Sequence, residues 1–238
     1  MNPVRGKSSQ NSADSQANRT SNGMKKPIIA VDIDDVIAAH AEALIEFGNK
    51  KWGTNLTLKD YDEHWAKMWQ IDAAEVEKRV TELNEAGFTR EFKHYPDAVK
   101  VLAELAKRYK LVILTSRRRE MSKDTLEWVE KYYPNIFSEI HFAGIWDNFK
   151  EPYHLMTNAT KAKICQEIGA DYLIDDQLKH CVAAAEAGVK GLVFGEYHWN
   201  RAKKLPKDVI RVKDWQAILE YFTRTNSQSL NLGKGDIG

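Results

Sequence analysis

Short runs of aliphatic and β-branched residues alternate along this chain with stretches whose apolar positions recur at helical spacing. The runs Ile28 to Ile33, Leu111 to Thr115, Ile140 to Ala143, Tyr172 to Ile174 and Gly191 to Phe194 lack a polar alternation, so they read as strands buried on both faces. Pro96 to Arg108, Ser122 to Tyr133, Thr160 to Ile168 and Leu178 to Ala187 read as helices, with Gly169 and Gly188 as their stops. A short strand at Val209 to Val212 and a helix near Asp214 to Phe222 follow. The alternation predicts an α/β fold with a Rossmann-like core: a parallel five-stranded sheet with helices on both faces.

One interval breaks the pattern. His40 to His94 separates the first strand from the next core helix, whereas a bare strand-to-helix connection takes only about 2 to 6 residues. The interval carries helical periodicity at Ala41, Leu44 and Ile45 and again at Val76, Val80 and Leu83, with Trp52, Tyr61, Trp65 and Trp69 between. Residues 40–94 are therefore expected to form a small helical cap inserted after the first strand, with 25–39 and 95–224 as the α/β core. Residues 1–24 are rich in Ser, Asn and Gln and cannot build a core, so a disordered tail is expected there, with an organelle presequence as the competing reading. Residues 225–238 have the same character and read as a flexible tail.

Composition narrows the function classes. A chain of 238 residues, 43% hydrophobic, has room for one α/β domain with an insertion. Its net charge of +1 removes the strong basic imbalance of a protein that grips nucleic-acid backbone with its whole surface, so anion binding must be local. Cys165 and Cys181 lack metal-ligand spacing and read as reduced thiols. No apolar run approaches the roughly 20 residues of a membrane helix, and the start lacks the apolar segment of a secretory signal. A cytoplasmic protein without a membrane partner is the expectation.

The candidate chemistry lies at strand ends. IIAVDIDDV puts Asp32 and Asp34 at the end of the first strand with period-two spacing, so their side chains can converge. DYLIDDQ ends a later strand with Asp175 and Asp176. In a parallel sheet these ends share one edge, where ligands of open α/β sheets bind. Crowded carboxylates repel, a hard divalent cation relieves the repulsion, and the absence of His or Cys at matching positions favours Mg²⁺ over zinc. The competing reading, acids as strand-to-helix caps, needs fewer than three acids in Asp32, Asp34 and Asp35. LVILTSRRR ends another strand with the hydroxyls of Thr115 and Ser116, and TKAKICQ carries Lys161 and Lys163 towards the acidic pair. Hydroxyl and ammonium groups beside a metal-carboxylate cluster make an oxyanion pocket.

The ordered set DIDDV, LTSR, TKAK and LIDD resembles the haloacid dehalogenase superfamily of phosphohydrolases over residues 27 to 222. Together with the cap and YHWNR it is similar to the 5'-nucleotidase and deoxyribonucleotidase group. The resemblance implies Asp32 as a nucleophile that forms an aspartyl-phosphate and Asp34 as general acid and base. Thr115 would hold the phosphoryl oxygens and Lys161 would neutralise charge at the nucleophile, with Lys163 competing for that role because one sequence does not fix the helix phase. Mg²⁺ would be held by Asp32, Asp175, Asp176 and the Asp34 carbonyl. Asp35 and Ala39 stand where the group's pattern usually has Gly and Asp.

Beyond the motifs, Ser116 and one of Arg117 to Arg119, with Arg117 first, are assigned substrate contacts, against a solvated basic loop. Trp52, Trp65 and Trp69 are weighed as base-stacking groups against plain cap packing. His64 and His154 are left out of the site, and Trp199 and Asn200 are read as holding a loop. The resulting expectation is a Mg²⁺-dependent phosphatase of a small phosphate ester, a nucleoside monophosphate first. The alternatives are another small phosphate ester or a nucleic-acid end, phosphoryl transfer to an acceptor other than water, and a non-catalytic binder of Mg²⁺ and phosphate.

Overall fold

A computed structural model describes residues 25–144 and 159–232. The elements in chain order are β1 (Ile28–Val31), α1 (His40–Trp52), α2 (Trp65–Trp69), α3 (Ala73–Glu85), α4 (Pro96–Leu105), β2 (Lys110–Thr115) and α5 (Ser122–Tyr132). After them come β3 (Glu139–Phe142), α6 (Ala159–Ile168), β4 (Tyr172–Asp175), α7 (Leu178–Glu186), β5 (Lys190–Phe194), β6 (Val209–Val212) and α8 (Trp215–Leu232). All strand pairs are parallel, in the order β3-β2-β1-β4-β5-β6.

The sheet thus has six strands rather than the five expected. Val209–Val212, recognised as a strand but left out of the sheet, pairs with β5 from Gly191↔Val209 to Phe194↔Val212. As an edge strand it is buried only at its two ends, and that half-wet pattern is a weak signal in sequence. The last helix runs to Leu232, past the boundary expected at Thr225. The reading of 1–24 as a tail falls outside the described residues.

Successive side chains of a strand point to opposite faces, and β1 divides its four accordingly. Ile29 and Val31 join Leu111, Ile113, Trp128, Ile218 and Phe222 on one face, while Ile28 and Ala30 join Val112, Leu114, Leu173, Cys165 and Ala184 on the other. Helices therefore cover both faces.

The interval 40–94 is helical, in α1, α2, α3 and the short 3₁₀ turns Leu58–Asp60 and Phe88–Glu91. Its Leu44, Met68, Trp69, Leu83 and Phe88 belong to the same apolar cluster as the first sheet face. Helix α3 is capped by Asp72, whose carboxylate accepts the Glu75 N–H at 2.8 Å. Helix α1 has no such cap at Ala39; Asp35 reaches forward instead, and its Oδ1 accepts the Ala41 N–H at 3.0 Å. Asp35 does so at φ +57°, a left-handed conformation that Asp tolerates and Gly adopts freely. That geometry accounts for a glycine at this position in the pattern the chain resembles.

Candidate active site

The register of the sheet brings the two acidic motifs together. Val31 pairs with Ile174, and the next residue along, Asp32, donates its N–H to the Ile174 carbonyl at 2.9 Å. Asp32 therefore leaves β1 beside Asp175 at the end of β4. Carboxylate oxygens of Asp32, Asp175 and Asp176 all lie within 4.8 Å of one another, and all three residues are buried.

Helix α6 supplies the cation between them. Lys161 is fully buried, donates to Asp175 Oδ2 at 2.7 Å and sits 3.0 Å from Asp32 Oδ1. Lys163, two residues on, is exposed and faces Glu167, so the helix phase assigns the motif lysine to Lys161. Burial opposes the ammonium charge, yet Asp175 and Asp32 hold its pKa above that of an ordinary lysine. Burial pushes the Asp32 carboxyl up to about 7, with Lys161 pulling down and Asp175 and Asp34 pushing up. Burial acts the same way on Asp175, but Lys161 and His180 outweigh it and leave that carboxyl well below the usual range. Asp176 is driven far above it by burial and by the neighbouring Asp175, Asp35 and Asp32.

One ammonium thus pairs with two of the three buried acids, Asp32 and Asp175, and among the described residues Asp176 has none. Asp32 Oδ1 is buried and paired with Lys161 at 3.0 Å, the same ammonium that bonds Asp175 at 2.7 Å. Crowded carboxylate oxygens, with Asp32 and Asp176 pushed towards neutrality, are what a hard divalent cation would relieve, so these residues fit a cation of the Mg²⁺ type.

Asp34 takes a different partner from the one its neighbours share. Arg117 closes a fork on it, with Nη2 at 2.6 Å from Oδ1 and Nε at 3.2 and 3.1 Å from Oδ1 and Oδ2. The guanidinium is itself fixed, donating from Nη1 to Thr125 Oγ1 at 3.2 Å and lying 4.9 Å over the Phe92 ring. Burial raises the Asp34 pKa, but Arg117 and then His40 turn the balance and hold it below the usual value. Arg117, expected to clamp substrate, is therefore engaged by the candidate acid–base group. Thr115 is fully buried, its Oγ1 accepts the Arg117 backbone N–H at 3.2 Å, and it does not line the cavity. Ser116 does line it, and its Oγ is buried without a hydrogen-bond partner.

A cavity runs from these groups along the helical interval 40–94, where Val76, Val80, Leu83 and Phe88 line it with Met121 from the core, beside Asn84, Glu63, Arg118 and Lys179. Trp65 lines it too, stacked on His40 at 6.1 Å. Trp52 and Trp69 pack instead against each other and under the Arg79 guanidinium, which is the packing role. Ion pairs join cap to core beside the cavity: Glu77 takes the Arg118 fork, and Lys179 binds Glu63.

Two histidines at the site were not picked out from sequence. His180 Nδ1 lies 3.2 Å from Asp175 Oδ2, and His40 Nδ1 lies 3.8 Å from Asp35 Oδ2. The signal for His180 was its place in the first turn of the helix that follows LIDD; His40 opens α1 and carries no comparable mark. His154 lies outside the described residues. Trp199 and Asn200 do hold the Asp176 loop: Trp199 Nε1 donates to Asp176 Oδ2 at 2.6 Å and Asn200 Nδ2 to the Asp176 carbonyl at 3.0 Å.

Comparison with known proteins adds four matches. A family model described as "5' nucleotidase, deoxy (Pyrimidine), cytosolic type C protein" matches residues 26–228. A Staphylococcus epidermidis protein named "Putative 5'(3')-deoxyribonucleotidase" is 26% identical over 202 residues, which cover 84% of this chain and 97% of that protein. Among solved structures, a haloacid dehalogenase-like hydrolase from Streptococcus pneumoniae superposes with a TM-score of 0.61 at 16% identity, covering 83% of this chain and 98% of that one. A haloacid dehalogenase family hydrolase from Deinococcus radiodurans, solved with bound phosphate and sodium, gives 0.56 at 13% identity, with 84% and 96% covered. The fold is that of the haloacid dehalogenase hydrolases. Among the described residues no helix is long and apolar enough to cross a membrane.

Proposed function

The chain belongs to the cytosolic type C family of deoxy (pyrimidine) 5' nucleotidases, and from that premise we propose that it hydrolyses nucleoside monophosphates through an aspartyl-phosphate on Asp32. The observation that carries the reading is the buried Asp32, paired with Lys161 and within 4.8 Å of Asp175 and Asp176, in a cavity that Val76, Val80, Leu83 and Phe88 also line. Asp32, Asp175, Asp176 and the Asp34 carbonyl would hold Mg²⁺. Bound there, the cation supplies charge neutralisation between the nucleophile and the phosphate dianion.

Asp34, ionised at rest on the Arg117 fork, first takes a proton from solvent; Asp32 then attacks phosphorus as the ester oxygen leaves, and Asp34 passes that proton to the leaving oxygen. Asp34 then takes a proton from the water that attacks the acyl phosphate, which frees phosphate and restores Asp32. Dividing the hydrolysis replaces one hard step by two easier ones. Lys161 holds Asp32 in place and favours its ionised form against burial. The Ser116 hydroxyl donates to a phosphoryl oxygen, with the buried Thr115 supporting the turn that presents it.

Arg117 bears on the timing of the proton. Its fork favours ionised Asp34, and a protonated Asp34 is a weaker partner, so proton uptake loosens the guanidinium. A loosened guanidinium is placed to meet a phosphoryl oxygen by a bidentate contact.

The apolar wall suits the flat face of a base, and Asn84 offers one amide to its edge. The test is Mg²⁺-dependent phosphate release from nucleoside 5'- and 3'-monophosphates, sugar phosphates and an aryl phosphate. Highest kcat/KM on a nucleotide, lost on chelation and in Asp32→Asn, supports the reading. A folded wild type that turns over none of these esters refutes it.

A further inference from the structure

Trp199 does not line the cavity, yet among the described residues its indole makes the shortest hydrogen bond to a carboxylate of the Asp32, Asp175 and Asp176 cluster, the 2.6 Å contact to Asp176 Oδ2. The segment carrying it is rigidly seated. Gly195 takes φ +78°, and a Cβ there would run into the Tyr197 ring. Tyr197 donates its hydroxyl to the Asp35 carbonyl at 2.8 Å. Arg211 then locks the far end, donating to Gly195 O and to Asn200 Oδ1, both at 2.8 Å.

The ring of Trp199 is held from both sides. Tyr197 stacks on it at 4.5 Å with an interplanar angle of 2°, and Tyr61, from the cap, meets it at 4.7 Å. His198 strengthens the cap contact by bonding the Tyr61 carbonyl at 3.0 Å. Asp176 is thereby fixed twice: by its main chain through Asn200, and by its carboxylate through the indole and the Gln177 amide at 3.1 Å.

We propose that Trp199 is the positioning residue of the cation site, its N–H aiming Asp176 at the ion while its ring ties that aim to the cap through Tyr61. The inference rests on the Mg²⁺ site of the proposed function. Groups that orient metal ligands contribute about 10- to 100-fold to metal affinity. The indole N–H and the Gln177 amide both sit on Asp176 Oδ2, which leaves Oδ1 for the ion.

The experiment is a Mg²⁺ titration of the full chain by calorimetry, without substrate, on wild type, Trp199→Phe and Asp176→Asn. Trp199→Phe removes the N–H and keeps the stack, so its Mg²⁺ dissociation constant is expected to rise about tenfold, with the metal-free melting temperature close to that of wild type. Affinity unchanged in Trp199→Phe while Asp176→Asn loses it would overturn the role of Trp199 and leave the site standing. Wild type without Mg²⁺ binding, or Asp176→Asn binding as wild type does, would overturn the site itself and the inference with it. A measurement without substitution covers the case of a misfolded Trp199→Phe. In wild type labelled with ¹⁵N on its Trp indoles, an indole N–H resonance is expected to shift in step with Mg²⁺ occupancy, and no shift in any indole resonance overturns the proposal.

Discussion

At the sheet end of the cavity Asp32, Asp34, Asp35, Asp175 and Asp176 crowd around two buried cations, Lys161 and Arg117. At the other end Val76, Val80, Leu83 and Phe88 line the cavity beside the Asn84 amide, and the charges there, Glu63 with Lys179 and Arg118 with Glu77, are paired with one another. The first end is built of charges held at fixed distances in a low-dielectric setting, where each is strong and a missing partner is costly. The second offers area and shape, which discriminate between substrates by little per group. Substitutions at the sheet end should therefore strike turnover, and those at the cap end should strike KM and the ranking of substrates.

The strongest way to break this division is Asp32→Asn. Turnover is expected to fall by at least about 10³-fold, since the covalent step has no other nucleophile. The metal-free protein should melt higher than wild type, because burial already works against the Asp32 charge. Calorimetric melting beside the kinetics checks both, and a lower melting temperature would contradict the electrostatic account.

Lys161→Met comes next, and it should cost stability as well as activity. It leaves Asp175 buried and facing Asp32 with no ammonium between, a loss of about 3–5 kcal/mol by denaturant unfolding. Lys163→Met, on the exposed side of the same helix, should change neither. That contrast was invisible in TKAK, because the phase of α6 depends on how it packs against the sheet. The acids were legible for the opposite reason: strand period and parallel topology alone bring Asp32 and Asp175 to one edge. His40 and His180 escaped because each owes its place to a tertiary turn, and β6 escaped the sheet count because an edge strand buries half its residues. Asp35 departs from the pattern's usual Gly, and its left-handed backbone and its bond to Ala41 make it the cap of α1.

Arg117→Met should lower kcat by about 10- to 100-fold, a part of what general acid–base catalysis contributes. KM should rise as well if the guanidinium meets phosphate, and Arg117→Lys should recover little because a lysine has no fork. At the cap end, Val80→Ala should raise KM for nucleotides severalfold with kcat within about twofold of wild type, the loss of one or two methyl contacts. An equal effect of Val80→Ala on kcat would blur the division between the two ends. The smallest effect belongs to Glu77→Gln, which opens the Arg118 fork between cap and core: its exposed partner limits the stability change to less than about 1 kcal/mol, measured by thermal unfolding.

The most direct measurement is an acid quench of wild type mixed with Mg²⁺ and a ³²P-labelled deoxyribonucleoside monophosphate. The account predicts label on the peptide that contains Asp32, discharged by hydroxylamine as an acyl phosphate is, and absent from Asp32→Asn. Product phosphate formed at full rate with no label on that peptide would contradict a covalent role for Asp32.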